Sequence, residues 1–282
     1  MKINLATSAG FCFGVRRAIN IAMETAKVNK PVFMLGDIVH NEEVVRQIQK
    51  TGIKKICRLS AAKKGKILLI RAHGCSRGTL QKAKKLGYSI IDATCPMVKE
   101  IHAIAKKLEN NGFKVIVIGD KSHDEVKGIT GQLKTKAIVI DKLDNIPLKR
   151  IKSIKKAGVV VQSTQNLDKT LEIFDILGKN IQKVEFHNTI CKPTRTKQAE
   201  IKIMPLENDV MIIIGSKTSA NTKRIYEISK SLNNKSYQVN SSNEIKKSWL
   251  SGAKSVGITA GASTPESTIR EVVRKIKASS AV

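Results

Sequence analysis

Aromatic residues are scarce in this 282-residue chain: six Phe, three Tyr and one Trp. None interleaves with the basic pairs, so a platform for stacking nucleic-acid bases is poorly supported. Long apolar runs are missing as well. Stretches such as Val115-Ile116-Val117-Ile118 are strand-sized, and none approaches the ~18 residues that a membrane span needs. Asn4, Thr7 and Ser8 interrupt the start of the chain, so no apolar export segment is read there. Neither a Walker A loop nor a strand-linked Gly-x-Gly-x-x-Gly occurs, which removes the usual nucleotide-binding signatures. Five cysteines are an odd, widely spaced set. They argue against a disulfide framework and for thiols or metal ligands in a reducing cytoplasm.

Acidic residues are few: 23 Asp+Glu stand against 51 Lys+Arg, a net charge of +28. A nucleic-acid surface, an acidic substrate or partner, and a lysine-rich proteome without functional message all fit that excess. The basic pairs Arg16-Arg17, Lys54-Lys55, Lys63-Lys64, Lys106-Lys107, Lys155-Lys156 and Lys246-Lys247 are dispersed, mostly on expected helices. A solvated face is the ordinary reading of any one of them.

What the chain does have is a hydrophobic content of 41%, enough for a sizeable core. Short β-branched runs alternate with lysine-studded amphipathic stretches. Strands are expected at 31–35, 66–70, 89–93, 114–118, 137–140, 158–161, 183–187, 210–214 and 255–258. Helices are expected at 15–27, 42–50, 76–86, 97–110, 168–179, 222–232 and 264–277. Apolar runs of four to six residues suit buried parallel strands, and the 3.6-period stretches suit the helices that cover them. The fold class is α/β with mostly parallel sheets.

Three cysteines share one context. Cys12 follows the apolar run at 3–6 and opens a helix. Cys95 follows Ile90-Ile91-Asp92-Ala93, with Pro96 beginning the next helix. Cys191 follows the run at 184–190, and Pro193 sits where a helix through Gln198 starts. Proline is tolerated in a first helical turn. The three are spaced by roughly a third of the chain. This spacing predicts a trefoil of three small pseudo-equivalent lobes, at 1–95, 96–190 and 191–282, each delivering one thiolate. A helix N-terminus lowers a thiol's pKa, as suits a metal ligand.

His40, His73 and His123 all stand just past expected strands, where open parallel sheets bind ligands. His102 and His187 read as structural or solvated. Two loops, Gly215–Asn221 and Ala260–Thr264, run from strands into helices and resemble anion cradles, although Gly and Ser before a helix are also ordinary capping. Glu125, two residues after His123, is a candidate general acid if buried. On local grounds it could equally lie in an exposed loop.

Taken in order, Gly10-Phe11-Cys12-Phe13-Gly14-Val15, Val39-His40-Asn41, Ala72-His73-Gly74, Asp92-Ala93-Thr94-Cys95-Pro96, Thr189-Ile190-Cys191, the Ser219/Asn221 loop and Ala260-Gly261-Ala262-Ser263 closely resemble the 4-hydroxy-3-methylbut-2-enyl diphosphate reductase (LytB/IspH) family. The resemblance covers essentially the whole chain. It implies three lobes around one 4Fe-4S cluster held by Cys12, Cys95 and Cys191, with one iron left open. It implies reductive removal of an allylic hydroxyl as water, giving isopentenyl and dimethylallyl diphosphates. The diphosphate would be held by His40, His73, Ser219, Asn221 and Ser263, with Ala220 in the same loop and His123 near the reacting end. Glu125 would donate the proton, and a hydroxyl in Gln162-Ser163-Thr164 would orient the substrate and relay it. An acidic electron carrier, ferredoxin or flavodoxin, would suit the basic surface.

The chain departs from the family pattern at four places. Asp124 replaces a usual Pro, Ser163 a usual Thr, Ala220 a common Ser, and Lys197 a typical Arg. Cys57 and Cys75 match no ligand position, and inert packing is expected of Cys75. Two other classes compete, a zinc hydrolase built on the same cysteines or histidines and a charge-driven nucleic-acid binder. The ordered Cys, His and Glu set favours the reductase over both.

Overall fold

Uninterrupted β-branched strands need cover on both faces, and the apolar strands at 67–70, 114–118, 156–161, 210–214 and 255–260 are buried along almost their whole length. The computed structural model describes residues 1–61 and 65–279. Lys63-Lys64 therefore lies outside the described residues. The chain begins with β1 (Lys2–Leu5) and α1 (Phe13–Ala26). It continues through β2 (Val32–Leu35), α2 (Glu42–Lys50), β3 (Lys54–Ile56), β4 (Ile67–Ile70), α3 (Arg77–Lys85) and β5 (Ser89–Asp92). The middle third holds α4 (Pro96–Asn110), β6 (Lys114–Ile118), α5 (Asp124–Thr130), β7 (Ile138–Ile140), α6 (Leu148–Ile151), β8 (Lys156–Val161), α7 (Leu167–Asn180) and β9 (Lys183–His187). The last part comprises α8 (Lys192–Glu207), β10 (Val210–Ile214), α9 (Ala220–Leu232), β11 (Ser236–Val239), α10 (Lys247–Leu250), β12 (Ser255–Ala260) and α11 (Glu266–Ser279).

These strands form three four-stranded sheets, in the orders β3-β2-β4-β5, β7-β6-β8-β9 and β11-β10-β12-β1. Every pairing in them is parallel. Numbered by its own strands, each sheet reads 2-1-3-4, with β1 of the chain serving as the fourth strand of the last sheet. Three pseudo-equivalent α/β lobes are therefore present. Their membership departs from the contiguous thirds expected above. Lys2–Leu5 pairs with Ser255–Ile258, so the first strand belongs with the C-terminal sheet rather than with 1–95. By contact the chain separates into two compact units. One comprises Met1–Arg16, His40–Arg46 and Lys192–Val282 with the C-terminal sheet; the other, Arg17–Val39 and Gln47–Cys191, holds the remaining two sheets.

Side chains alternate across the strands. Ile116, Ile118, Val159 and Val161 join Ile173 and Leu177 of α7 on one face. Val115, Val117 and Val160 meet Ile101, Ala105 and Leu108 of α4 on the other. In the C-terminal sheet, Ile212 and Ile214 face Val272 and Ile276 of α11, while Met211 and Ile213 meet Ile201 and Ile225. Fully burying one such side chain is worth about 1.5–3 kcal/mol.

Other differences are local. The edge strands β3 and β11 carry polar sequences, Lys-Lys-Ile and Ser-Tyr-Gln-Val, so no apolar run announces them. Of the pairs named above that fall among the described residues, Arg16-Arg17 and Lys106-Lys107 lie wholly in helices. Lys54-Lys55 is in β3, Lys155-Lys156 enters β8 and Lys246-Lys247 opens α10. No helix among the described residues is long and apolar enough to cross a membrane.

Gly158 shows how closely α4 approaches its sheet. A Cβ there would lie 2.5 Å from Leu108 Cδ2. Gly158→Ala is expected to cost about 1–3 kcal/mol in chemical denaturation. In a Leu108→Ala background the same change should cost less than half as much. An equal penalty in both backgrounds would show that the contact is unimportant.

Candidate active site

In a 2-1-3-4 sheet the order reverses between strands 1 and 3, and ligands of parallel sheets bind beyond the carboxyl ends of strands at such a switch. The expected site residues follow those strands in every lobe. His40 follows β2 and His73 follows β4. His123 and Glu125 follow β6, and Ser163 and Thr164 follow β8. Ser219, Ala220 and Asn221 follow β10, and Ser263 follows β12. The three cysteines follow the fourth strand each time: Cys95 after β5, Cys191 after β9, Cys12 after β1.

In the larger unit, His123 caps α5, its Nδ1 accepting the Glu125 N–H at 3.1 Å. That bond places the proton of a neutral ring on Nε2. The rings of His73 and His123 meet edge to face, centroids 5.3 Å apart. Glu125 is 1% exposed and sits in the first turn of a helix, so it does not lie in an exposed loop. One residue serves both of its oxygens: the Ser163 N–H donates to Oε1 at 2.6 Å, and Ser163 Oγ lies 2.8 Å from Oε2. Burial pushes the carboxyl above the ordinary glutamate range, against the opposing pull of the Ser163 hydrogen bonds. Gln162 fixes the loop, accepting the Asp120 N–H at 2.9 Å and donating to Thr164 Oγ1 at 3.1 Å.

Asp124 occupies the first position of α5, which proline tolerates and where a carboxylate suits the helix dipole. It also pairs with Arg71 Nη1 at 2.5 Å, tying α5 to the segment that carries His73. This departure therefore leaves Glu125 on its helix.

The cysteines of this unit are equally well placed. Cys95 donates its N–H to Ala72 O at 2.9 Å and Cys191 to Ser163 O at 3.0 Å. Asp92 accepts the Thr94 N–H at 2.9 Å, and Arg17 donates to Thr94 O at 3.1 Å, which fixes the turn before Cys95.

In the smaller unit the Cys12 N–H donates to Ala262 O at 3.1 Å, and Ser263 Oγ donates to His40 O at 2.9 Å. Ser219 caps α9, its Oγ accepting the Thr222 N–H at 3.3 Å. Asn221 is 3% exposed, yet neither its Oδ1 nor its Nδ2 has a partner among the described residues, and neither does Thr222 Oγ1. An unsatisfied buried polar group costs about 1–3 kcal/mol, so an amide left this way fits a ligand rich in acceptor oxygens. Gly215 (φ +144°) and Gly261 make room for Thr222: a Cβ on either would lie within 2.7 Å of its Oγ1. Ser216 and Thr218 of the same loop turn instead to Glu42, with Oγ 2.7 Å and Oγ1 3.3 Å from its Oε1.

In the sequence Lys197 is marked only by standing where Arg is typical. The structure buries it at 2% exposure, with its ammonium donating to the carbonyls of Ser8 and Ala260. Burial lowers its pKa to about 8. The remaining candidates behave as packing or surface. Burial raises the Cys75 thiol to about 11, and Cys57 is exposed. His102 is buried, its pKa lowered to about 4. His187 stands half-exposed near Glu185.

Cys12, Cys95 and Cys191 are half-buried thiols, each at the start of a helix. Soft donors in that setting fit an iron–sulfur cluster, and thiolates are its usual ligands. The larger unit adds the buried Glu125 carboxyl and the smaller unit the unpartnered Asn221 amide, and such groups suit an α/β redox enzyme that acts on an anion. A family model described as LytB protein matches residues 3–277, and the chain belongs to that family. The 4-hydroxy-3-methylbut-2-enyl diphosphate reductase of Campylobacter hominis is 40% identical over 277 residues, 98% of each chain. That of Aquifex aeolicus is 38% identical over 98% of this chain and 96% of its own. A solved structure of (E)-4-hydroxy-3-methyl-but-2-enyl diphosphate reductase, the terminal enzyme of the non-mevalonate pathway, has a TM-score of 0.72 at 37% identity over 99% of this chain and 100% of its own. The E-1-hydroxy-2-methyl-but-2-enyl-4-diphosphate reductase of Plasmodium falciparum has a TM-score of 0.88 at 29% identity, over 97% of this chain and 87% of its own.

The raised pKa of Glu125 has a definite sign in stability. Above pH 4.5 the unfolded carboxyl ionises while the folded one stays protonated, so stability falls as pH rises towards the folded pKa. Glu125→Gln lacks this penalty. Its advantage in unfolding free energy over the wild type should grow between pH 4.5 and 7.5. An advantage that stays flat across that range would contradict the raised pKa.

Proposed function

We propose that the chain is a 4-hydroxy-3-methylbut-2-enyl diphosphate reductase. It takes up two electrons and two protons, releases the allylic hydroxyl as water, and forms isopentenyl and dimethylallyl diphosphates. The observation that carries the chemistry is the buried Glu125 carboxyl against the Ser163 hydroxyl. Full-length relatives of that name support the substrate class.

Cys12, Cys95 and Cys191 would hold one 4Fe-4S cluster with an iron left open. When bound, the cluster supplies the electrons and a vacant coordination site. The chain's own residues supply the rest. Burial raises the Glu125 pKa, and in its protonated form Glu125 can pass its proton to Ser163 Oγ as the Ser163 hydroxyl proton moves to a substrate oxygen. Ser163 keeps the hydroxyl that this relay needs, and Thr164, held by Gln162, lines the same loop. His123, with its proton on Nε2, offers a second donor. Asn221 Nδ2, Ser219 and Ser263, with His40 and His73, would bind the diphosphate. Helix N-termini favour such an anion. Ala220, the first residue of α9, leaves one hydroxyl fewer in that loop. The basic surface fits an acidic electron carrier such as ferredoxin or flavodoxin, and we place the enzyme in the cytoplasm.

The test is anaerobic turnover of the allylic diphosphate with reduced methyl viologen, on protein carrying about four irons per chain. Glu125→Gln should lower kcat about 10²–10⁴-fold with iron retained. Unchanged turnover would remove Glu125 from the proton path. Asn221→Ala should raise KM about 10–100-fold, the loss of one hydrogen bond to a charged group, with kcat little changed. A KM equal to wild type would place the diphosphate elsewhere.

A further inference from the structure

Lys197 is a buried cation without an assigned task. It lies in the second turn of α8, the helix that begins just after Cys191. Its ammonium donates to Ser8 O, four residues before Cys12, and to Ala260 O at 3.0 Å, two residues before Ala262. Ala262 O in turn receives the Cys12 N–H. One ammonium thus bridges the two loops that meet at Cys12 and lead on to Ser263.

Glu200, one turn further along α8, grips the first of those loops from its donor side. Its carboxylate accepts the N–H of Thr7 at 2.9 Å, the Thr7 hydroxyl at 2.5 Å, the Ser8 N–H at 3.2 Å and the Ser8 hydroxyl. Lysine and glutamate therefore hold opposite polarities of the same backbone turn. The two charges do not cancel at Cys12. Glu200 is half-exposed and its field is screened by water, whereas Lys197 is 2% exposed and acts through a medium of low dielectric. Carbonyl partners satisfy the ammonium's hydrogens but leave its charge intact. That charge lies within electrostatic reach of the Cys12 sulfur.

We propose that Lys197 is a positioning residue of the cluster site: its ammonium locks the Cys12 loop to the Ser263 loop and raises the reduction potential of a cluster bound through Cys12. The physical reason is that each electron added to the cluster adds negative charge, which a nearby buried cation stabilises. This inference rests on the cofactor reading above.

The test compares wild type with Lys197→Arg, Lys197→Met and Lys197→Gln, reconstituted anaerobically. Iron and labile sulfide per chain are counted first; then the midpoint potential is titrated and the reduced-state electron paramagnetic resonance spectrum recorded. Arg should leave iron and potential near wild type. Met and Gln should make reduction about tenfold less favourable at a given potential, about 59 mV for one electron. If Met fails to fold, Gln, which keeps a donor but no charge, decides the question. Full iron with an unchanged potential in the neutral variants would overturn the proposal. Equal loss of iron in Arg, Met and Gln would also overturn it, since charge would then have no part. A wild-type chain that takes up no cluster would sink the cofactor reading, and this inference with it.

Discussion

Parallel pairing forces every connection within a sheet of this chain to travel back across a sheet face before the next strand can begin. The carboxyl ends of all four strands in a sheet therefore lie along one edge, and the helices that follow them start there. Repeating the order 2-1-3-4 in three sheets repeats the same set of loop positions three times. Strands 1 and 3 are followed by polar donors and acids, and strand 4 by a cysteine. The site chemistry is thus a property of the sheet order. His73 and Ser163 are unlike residues in equivalent places, as are His123 and Ser219.

Within that frame the costly element is Glu125. A carboxyl taken out of water either stays protonated or needs strong donors, and here both influences act on the same group. Among the described residues its hydrogen-bond partners both come from Ser163, the backbone N–H and the hydroxyl. The acid is therefore held in register with a single residue of the neighbouring strand's loop. The position of β8 relative to β6, set by five paired residues from Lys114↔Ala157 to Ile118↔Val161, fixes that register. The Arg71–Asp124 pair adds a tie from β4, so the helix bearing Glu125 is anchored from two sheets.

Much of this was legible in the sequence because it is local. A strand followed by Cys and then a helix can be read at 95 and 191 from Pro96, Pro193 and the apolar runs alone. Helix α2 was read at its full extent from its amphipathic spacing. What escaped was either polar or distant. β3 and β11 are edge strands, and their Lys54-Lys55 and Tyr237-Gln238 carry no apolar alternation. α5 hides behind a polar first turn and Gly128, so the burial of Glu125 depended on contacts some forty residues away. The membership of β1 depended on partners beyond residue 250, which no window along the chain can see. Lys197 stands out in the sequence only by occupying a position where Arg is typical, because charge type alone does not reveal that Ser8 O and Ala260 O enclose it.

The large positive charge is not what the proposed anion site is built from. The smaller unit's residues proposed for the diphosphate, Asn221, Ser219 and Ser263, are neutral, and α9 begins at Ala220, between Ser219 and Asn221. Neutral donors fixed by caps and close-packed glycines hold an anion by geometry, and that geometry survives salt better than surface charge does. On the proposed function, the lysines would answer to something outside the pocket. A chain of +28 attracts acidic macromolecules over distances beyond contact, and a reductase must receive its electrons from a partner. On the proposed function, binding the substrate and meeting the donor would be served by different parts of the composition: buried polar atoms for the first, and a dispersed, solvated cationic surface for the second.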